Sequence, residues 1–164
     1  MSNNNIVIRE IAKADDEQIA AVIRNVLIEF GVPKVGTAYA DKALHKMAET
    51  YNRSKAVYFV IDDGEKIIGG AGISPLDNFE GNTCELQKMY FLPEARGLGL
   101  GTKMMTICLE RAKQFGYDTC YLETMPYMKD ARKLYKKVGF EMLDKPMGDT
   151  GHYSCNVWML KDLK

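Results

Sequence analysis

Glu85-Leu86-Gln87-Lys88-Met89-Tyr90-Phe91-Leu92-Pro93, followed closely by Arg96-Gly97-Leu98-Gly99-Leu100-Gly101-Thr102, decides the fold. The first stretch is apolar and strand-like, and it stops at a proline. Three alternate glycines then open a helix. A turn of this kind leaves backbone N–H groups unpaired and aimed at one point, with the positive end of a helix dipole behind them. It suits a phosphate-bearing ligand, and three alternate glycines exceed what a plain strand-to-helix turn requires. Two better-known phosphate motifs do not fit. The dinucleotide fingerprint needs Gly-x-Gly-x-x-Gly, and its last position falls on Thr102 or Met104. The P-loop needs Gly-Lys-Ser/Thr, whereas the order here is Gly101-Thr102-Lys103.

Working outward, the helix opened by the glycines runs from Gly99 to Phe115, with Met104, Met105, Cys108, Leu109 and Ala112 inward, and Gly116 closes it. Thr119 to Thr124 reads as a buried strand. Lys129 to Val138 reads as a short helix with Ala131, Leu134, Tyr135 and Val138 inside, stopped by Gly139. Phe140 begins a strand, Asp144 to Gly151 turns, and His152 to Leu160 alternates as a final strand. Upstream of the glycines, Thr83 to Leu92 is a long strand. Before it, Ala56 to Ile61 and Lys66 to Ile73 form a hairpin about Asp62-Asp63-Gly64-Glu65. Gly69, Gly70 and Gly72 weaken the second arm and admit the close approach of another backbone or a ligand. Asn5 to Ile11 suits an edge strand. Asp15 or Asp16 caps a helix carrying Ile19, Val22, Ile23, Val26, Leu27 and Phe30, which ends at Gly31. A second helix is expected over Ala40 to Tyr51. The order β-α-α-β-β-β-α-β-α-β-β predicts one mixed α/β (α+β) domain over residues 1–164.

Bulk properties restrict the function. A chain of 164 residues buries roughly 70% of its unfolded surface. Lys plus Arg and Asp plus Glu balance at 22 each, so no overall field favours nucleic acid or an anionic membrane. No apolar run approaches the ~18 residues of a membrane span. The stretch Met1-Ser2-Asn3-Asn4-Asn5 lacks the basic and apolar parts of a signal peptide. Cys84, Cys108, Cys120 and Cys155 are widely spaced and read as reduced thiols in a cytoplasmic protein. No metal is expected, because only His45 and His152 are available to join those cysteines.

At these residues the chain resembles the GNAT superfamily of acyl-CoA-dependent N-acetyltransferases. The family's Arg/Gln-x-x-Gly-x-Gly/Ala signature is matched by Arg96, Gly99 and Gly101. Its second landmark, a short helix bearing a tyrosine and followed by Gly-Phe, is matched by Ala131 to Phe140 with Tyr135. The resemblance covers nearly the whole chain. It implies a mostly antiparallel, twisted sheet of six to seven strands flanked by about four helices, splayed between the fourth and fifth strands. It further implies that the pantetheine arm of acetyl-CoA pairs with Met89, Tyr90 and Phe91 in the splay, near a bulge, and that the pyrophosphate rests on the amides of Arg96, Gly97, Leu98, Gly99, Leu100, Gly101 and Thr102. Relatives carry an asparagine three residues before Ala131, and this chain has Met128 instead.

The implied reaction transfers an acetyl group from acetyl-CoA to a primary amine of a small molecule or peptide by direct attack in a ternary complex. A non-catalytic acyl-CoA sensor is the alternative. Tyr135 is the candidate proton donor to the departing thiolate, against a core tyrosine bonded to backbone. Glu85 is the candidate base, against a salt-bridged or solvated strand residue. A main-chain amide near Met89 or Tyr90 is expected to meet the oxyanion. Lys103, Lys129, Lys136 and Lys137 either touch nucleotide phosphates or form a solvated face. The amine end is expected to draw on Glu29, Tyr39, Asp41, Asp77 and His152. A homodimer through the exposed edge of the final strand is also expected.

Overall fold

Strand alternation and helix periodicity combine in the computed structural model, which describes residues 5–126 and 128–164. The strands are β1 (Val7–Glu10), β2 (Val57–Asp62), β3 (Ile67–Pro75), β4 (Thr83–Phe91), β5 (Thr119–Thr124), β6 (Glu141–Leu143) and β7 (Val157–Asp162). They form one sheet in the order β1-β2-β3-β4-β5-β7-β6. Every neighbouring pair is antiparallel except β4 with β5. The helices are α1 (Asp16–Glu29), α2 (Met47–Thr50), α3 (Leu100–Gln114) and α4 (Lys129–Lys137). This is the mixed, mostly antiparallel architecture expected from the element order. Residues 1–4 of the polar N-terminal stretch lie outside the described residues.

The sheet has a core on each face, because β2 is buried on both sides. Val57, Phe59 and Ile61 pack toward α3, with Met104, Met105 and Cys108. Tyr58 and Val60 pack toward α1, with Ile19, Ile23 and Leu27. Each such large apolar side chain contributes about 1.5–3 kcal/mol through burial. α1 stops at Gly31, whose φ of +66° favours glycine. Val32 N then closes back on Leu27 O at 2.9 Å. Among the described residues no helix is long and apolar enough to cross a membrane.

Three expectations are corrected. The second helix is broken into 3-10 turns at Ala38–Ala40 and Lys42–Lys46, and only Met47–Thr50 is α-helical. Long-range anchors override its weak amphipathic pattern: Ala48 N donates to Asp16 Oδ1 (2.9 Å), and Asp41 is drawn to His152. The last strand begins at Val157, not His152. Residues 152–156 form a loop, with Ser154 N donating to Gly36 O (2.9 Å) and Ser154 Oγ to Val35 O (2.8 Å). Finally, β7 lies between β5 and β6 rather than at the edge of the sheet, and β6 covers it from Trp158 to Leu160.

Two departures from a regular sheet create the site. β4 and β5 pair only from Thr83–Thr119 to Glu85–Tyr121, and both strands run on without pairing to each other. Opposite this gap β4 is irregular. Its register with β3 slips between Gly70 and Gly72, and Lys88 adopts φ +49°. An unpaired residue with positive φ is a bulge, which bends the strand away from its neighbour.

Candidate active site

The splay opens into a cavity of about 520 Å³. One wall is β4 at Met89, Tyr90 and Phe91. The floor is Arg96, Gly97, Gly99, Leu100 and Gly101, and the far wall is Ala131, Leu134 and Tyr135 of α4. Val26 of α1 and Phe30, just past its end, also line the cavity. Leu98 and Thr102, predicted with these residues, are not part of the wall, and the Leu98 side chain is exposed. Met128 lines the cavity, as does Lys129 among the lysines considered above.

The glycine loop supplies donors. Among the described residues, the amides of residues 97–102 have no main-chain acceptor, whereas Lys103 N reaches Gly99 O at 3.2 Å. The Arg96 amide is already committed to Pro93 O (3.1 Å). It therefore leaves the expected cradle, which reduces to residues 97–102. Gly97 and Gly99 have φ of +75° and +76°, and a methyl group on either would meet nothing within 4 Å. Their requirement is thus conformational rather than steric. Gly99→Ala is expected to cost about 1–2 kcal/mol, which calorimetry would register as a Tm lower by about 2–8 °C.

The guanidinium of Arg96 forms a two-pronged ion pair with Glu29 (2.7 and 2.8 Å) and donates to Phe91 O at 2.9 Å. It also lies 5.3 Å from the centre of the Phe30 ring. Glu29, expected at the amine end, is the last residue of α1 and pairs with Arg96, which lines the cavity. Its carboxyl is held below the ordinary range by the Arg96 hydrogen bonds.

Tyr135 is buried at the inner end of the cavity, its ring packed edge-on against Phe140 with centroids 6.1 Å apart. Burial raises its phenol above the usual tyrosine range, so it remains protonated at neutral pH. Glu85 is the last β4 residue paired to β5, and it is only 4% exposed. Burial raises its carboxyl from 4.5 to about 7. The hydrogen bond from Gln87 lowers it, and the nearby charge of Glu123 raises it further. Gln87 Nε2 donates to Glu85 Oε1 (2.7 Å), and Tyr51 Oη donates to Gln87 Oε1. The base candidate is therefore oriented and poised near neutrality.

Beyond Glu85 the structure brings Asp41 and His152 together. His152 Nε2 is 2.9 Å from both Asp41 oxygens, and Lys88 Nζ is 3.1 Å from Asp41 Oδ2. Burial works against charge on His152, but Asp41 outweighs it and the imidazole is raised overall. Among the described residues, Asp77 enters hydrogen bonding only through its carbonyl, which accepts from Asp149 N (3.1 Å). Tyr39 is not part of this cluster; its ring sits between Arg24 and Lys34, 5.6 and 5.3 Å from its centre.

Sequence reasoning missed Lys88, Gln87, Tyr51 and Glu123. Glu123 accepts from Thr150 Oγ1 and from Tyr121 Oη (2.7 Å), tying the loop before β7 to β5. A carboxylate inside the apolar run Thr119 to Thr124 was a readable signal for it. Nothing local marked the other three.

Comparison with known proteins agrees with this geometry. The family model described as "Acetyltransferase (GNAT) family" matches residues 20–140. The chain is 41% identical over 158 residues to YjgM, an uncharacterized N-acetyltransferase of Escherichia coli K12, covering 96% of this chain and 95% of that one. Its fold is similar to the crystal structure of a GNAT-family acetyltransferase from Staphylococcus aureus Mu50, with TM-score 0.85, 24% identity, and 97% and 99% of the two chains covered. It is also similar to yncA of Salmonella typhimurium, solved with its cofactor acetyl-CoA, with TM-score 0.78, 19% identity, and 98% and 95% covered. Family model, relatives and splayed sheet agree: the chain belongs to the acetyltransferase (GNAT) family and is an acetyl-transferring enzyme.

Proposed function

We propose that this enzyme moves the acetyl group of acetyl-CoA directly to a primary amine, with both substrates bound at once. The observation that carries the reading is the cavity in the β4–β5 gap. It joins the unpaired amides of Gly97, Gly99, Leu100 and Gly101 to a buried phenol, Tyr135, with β4 residues along its side. The residues fit a diphosphate followed by a narrow polar-and-apolar arm. Amides at a helix start suit the phosphates, and the edge that β4 turns away from β3 suits strand-like pairing of an amide-bearing arm.

Acetyl-CoA supplies a thioester whose acyl carbon is open to attack. Glu85, ionised above about pH 7, takes the proton that the amine must lose. Tyr135 gives a proton to sulfur as the C–S bond breaks. The Met89 or Tyr90 amide receives the oxygen as it gains charge. Direct attack is supported by the state of Cys155, the cysteine of the loop beside Glu85. Burial, with Glu123, Glu85 and Asp41 nearby, pushes its thiol to about 12, so it offers no thiolate to carry the acetyl group.

A thermal-shift series tests the co-substrate. Acetyl-CoA at about 100 times its Kd should add about 2.7 kcal/mol and raise Tm by about 5–10 °C, while NAD and ATP should leave it unchanged. An amine panel scored by acetylated product mass and thiol release tests the reaction. Acetyl-CoA binding without turnover on any amine would mark a sensor instead.

A further inference from the structure

Gly70 and Gly72 lie buried within β3, where a strand interior ordinarily carries larger side chains. A methyl built on Gly70 would stand 2.6 Å from Tyr58 Cε1 and 2.7 Å from Tyr58 Oη, and one on Gly72 would stand 2.5 Å from Tyr58 Cδ2. The Tyr58 ring therefore lies across the bare backbone of β3. Its hydroxyl reaches β4 and donates to the Lys88 carbonyl at 2.7 Å. Lys88 is the bulge residue, held at φ +49°, a conformation disfavoured for a residue with a side chain. The ion pair with Asp41 secures its ammonium, not its peptide.

The peptide joining Lys88 to Met89 is planar and trans, so its C=O and N–H leave in opposite directions. Tyr58 belongs to the core on the α1 face of the sheet, and Met89 and Tyr135 pack in the core on the α3 face. Tying the oxygen to Tyr58 therefore turns the Met89 N–H toward the Tyr135 side. We propose that Tyr58 is a positioning residue whose hydroxyl, by holding the Lys88 carbonyl, sets the direction in which the Met89 amide meets the thioester oxygen. The inference rests on the acetyl-transfer reading, and it gives Gly70 and Gly72 a reason.

Tyr58→Phe keeps the ring over the glycines and removes only the hydroxyl. Its kcat is expected to fall about 10–100-fold, while the Kd for CoA, which has no acetyl carbonyl, stays within about threefold. Isotope-edited infrared spectra of bound acetyl-CoA should show the carbonyl band lowered in the wild type and returned toward its free position in the variant. If the variant is too unstable to assay, 3-fluorotyrosine at position 58, a stronger donor of nearly the same size, should lower the band further. An unchanged band and kcat would overturn the inference, and so would CoA affinity, Tm and kcat falling together. A wild type that binds acetyl-CoA with a lowered band yet acetylates no amine would defeat the acetyl-transfer reading alone. A wild-type band at its free position, with turnover intact, would defeat the Tyr58 inference alone.

Discussion

Tyr135→Phe will lower kcat for acetyl transfer by about 100-fold or more, the usual worth of a positioned general acid, with little change in acetyl-CoA affinity. Phenylalanine fills the same volume against Phe140, so the cavity wall survives. Among the described residues the Tyr135 hydroxyl has no hydrogen-bond partner, so removing it orphans none of their polar groups. The loss should therefore fall on the chemical step rather than on binding or stability. Steady-state kinetics at saturating amine, beside a direct Kd for acetyl-CoA, separates the two. A normal kcat under saturation would remove Tyr135 from the mechanism and leave it a core residue.

Glu85→Gln should make the protein slower and more stable at once, and only a buried ionisable group gives that pair of signs. Wild-type kcat/KM should rise through about pH 7 as the carboxyl ionises, and the variant should lose that limb. For stability, the folded-state value lies above the unfolded one, so between 4.5 and about 7 the native state holds the extra proton. Stability from this group is thus full below the unfolded value, declines as pH rises through the folded value, and stays reduced above it. A rise from 4.5 to about 7 corresponds to a penalty of about 3 kcal/mol at alkaline pH. Glutamine carries no such penalty and still accepts from Gln87. At pH 8.5 the variant's Tm should exceed the wild type's by about 6–12 °C, and near pH 4 the two should converge. Equal Tm at both pH values would mean that Glu85 is hydrated rather than buried.

Much of the architecture was legible because its causes are local. Helix ends sit at Gly31, Gly116 and Gly139 because each needs a positive φ, which a neighbouring side chain cannot supply for it. The inward face of α3 follows from a 3.6-residue period, and Tyr135 shares a face with Ala131 for the same reason. The site was legible only where it is built from such local pieces. The glycine loop could be read before any fold was known. The pairing of Arg96 with Glu29, 67 residues apart, and of His152 with Asp41, 111 apart, could not. The segment predicted as a second helix failed for a related reason, since contacts to α1 and the β7 loop outweighed its own periodicity.

Sequence alone determined the order of elements, the glycine-capped helix ends, the glycine turn and the two families of buried side chains, because backbone conformation and apolar period act over a few residues; the carboxyls of Asp15 and Asp16, expected to cap α1, are instead drawn to Arg9 and to Ala48 N. Tertiary structure alone decided that β4 parts from β5 after Glu85, that Lys88 is bent into a bulge beneath Tyr58, and that Glu85 is dry enough to titrate near neutrality. Those outcomes depend on which distant groups exclude water and which hold a carbonyl, and no local run of residues carries that information.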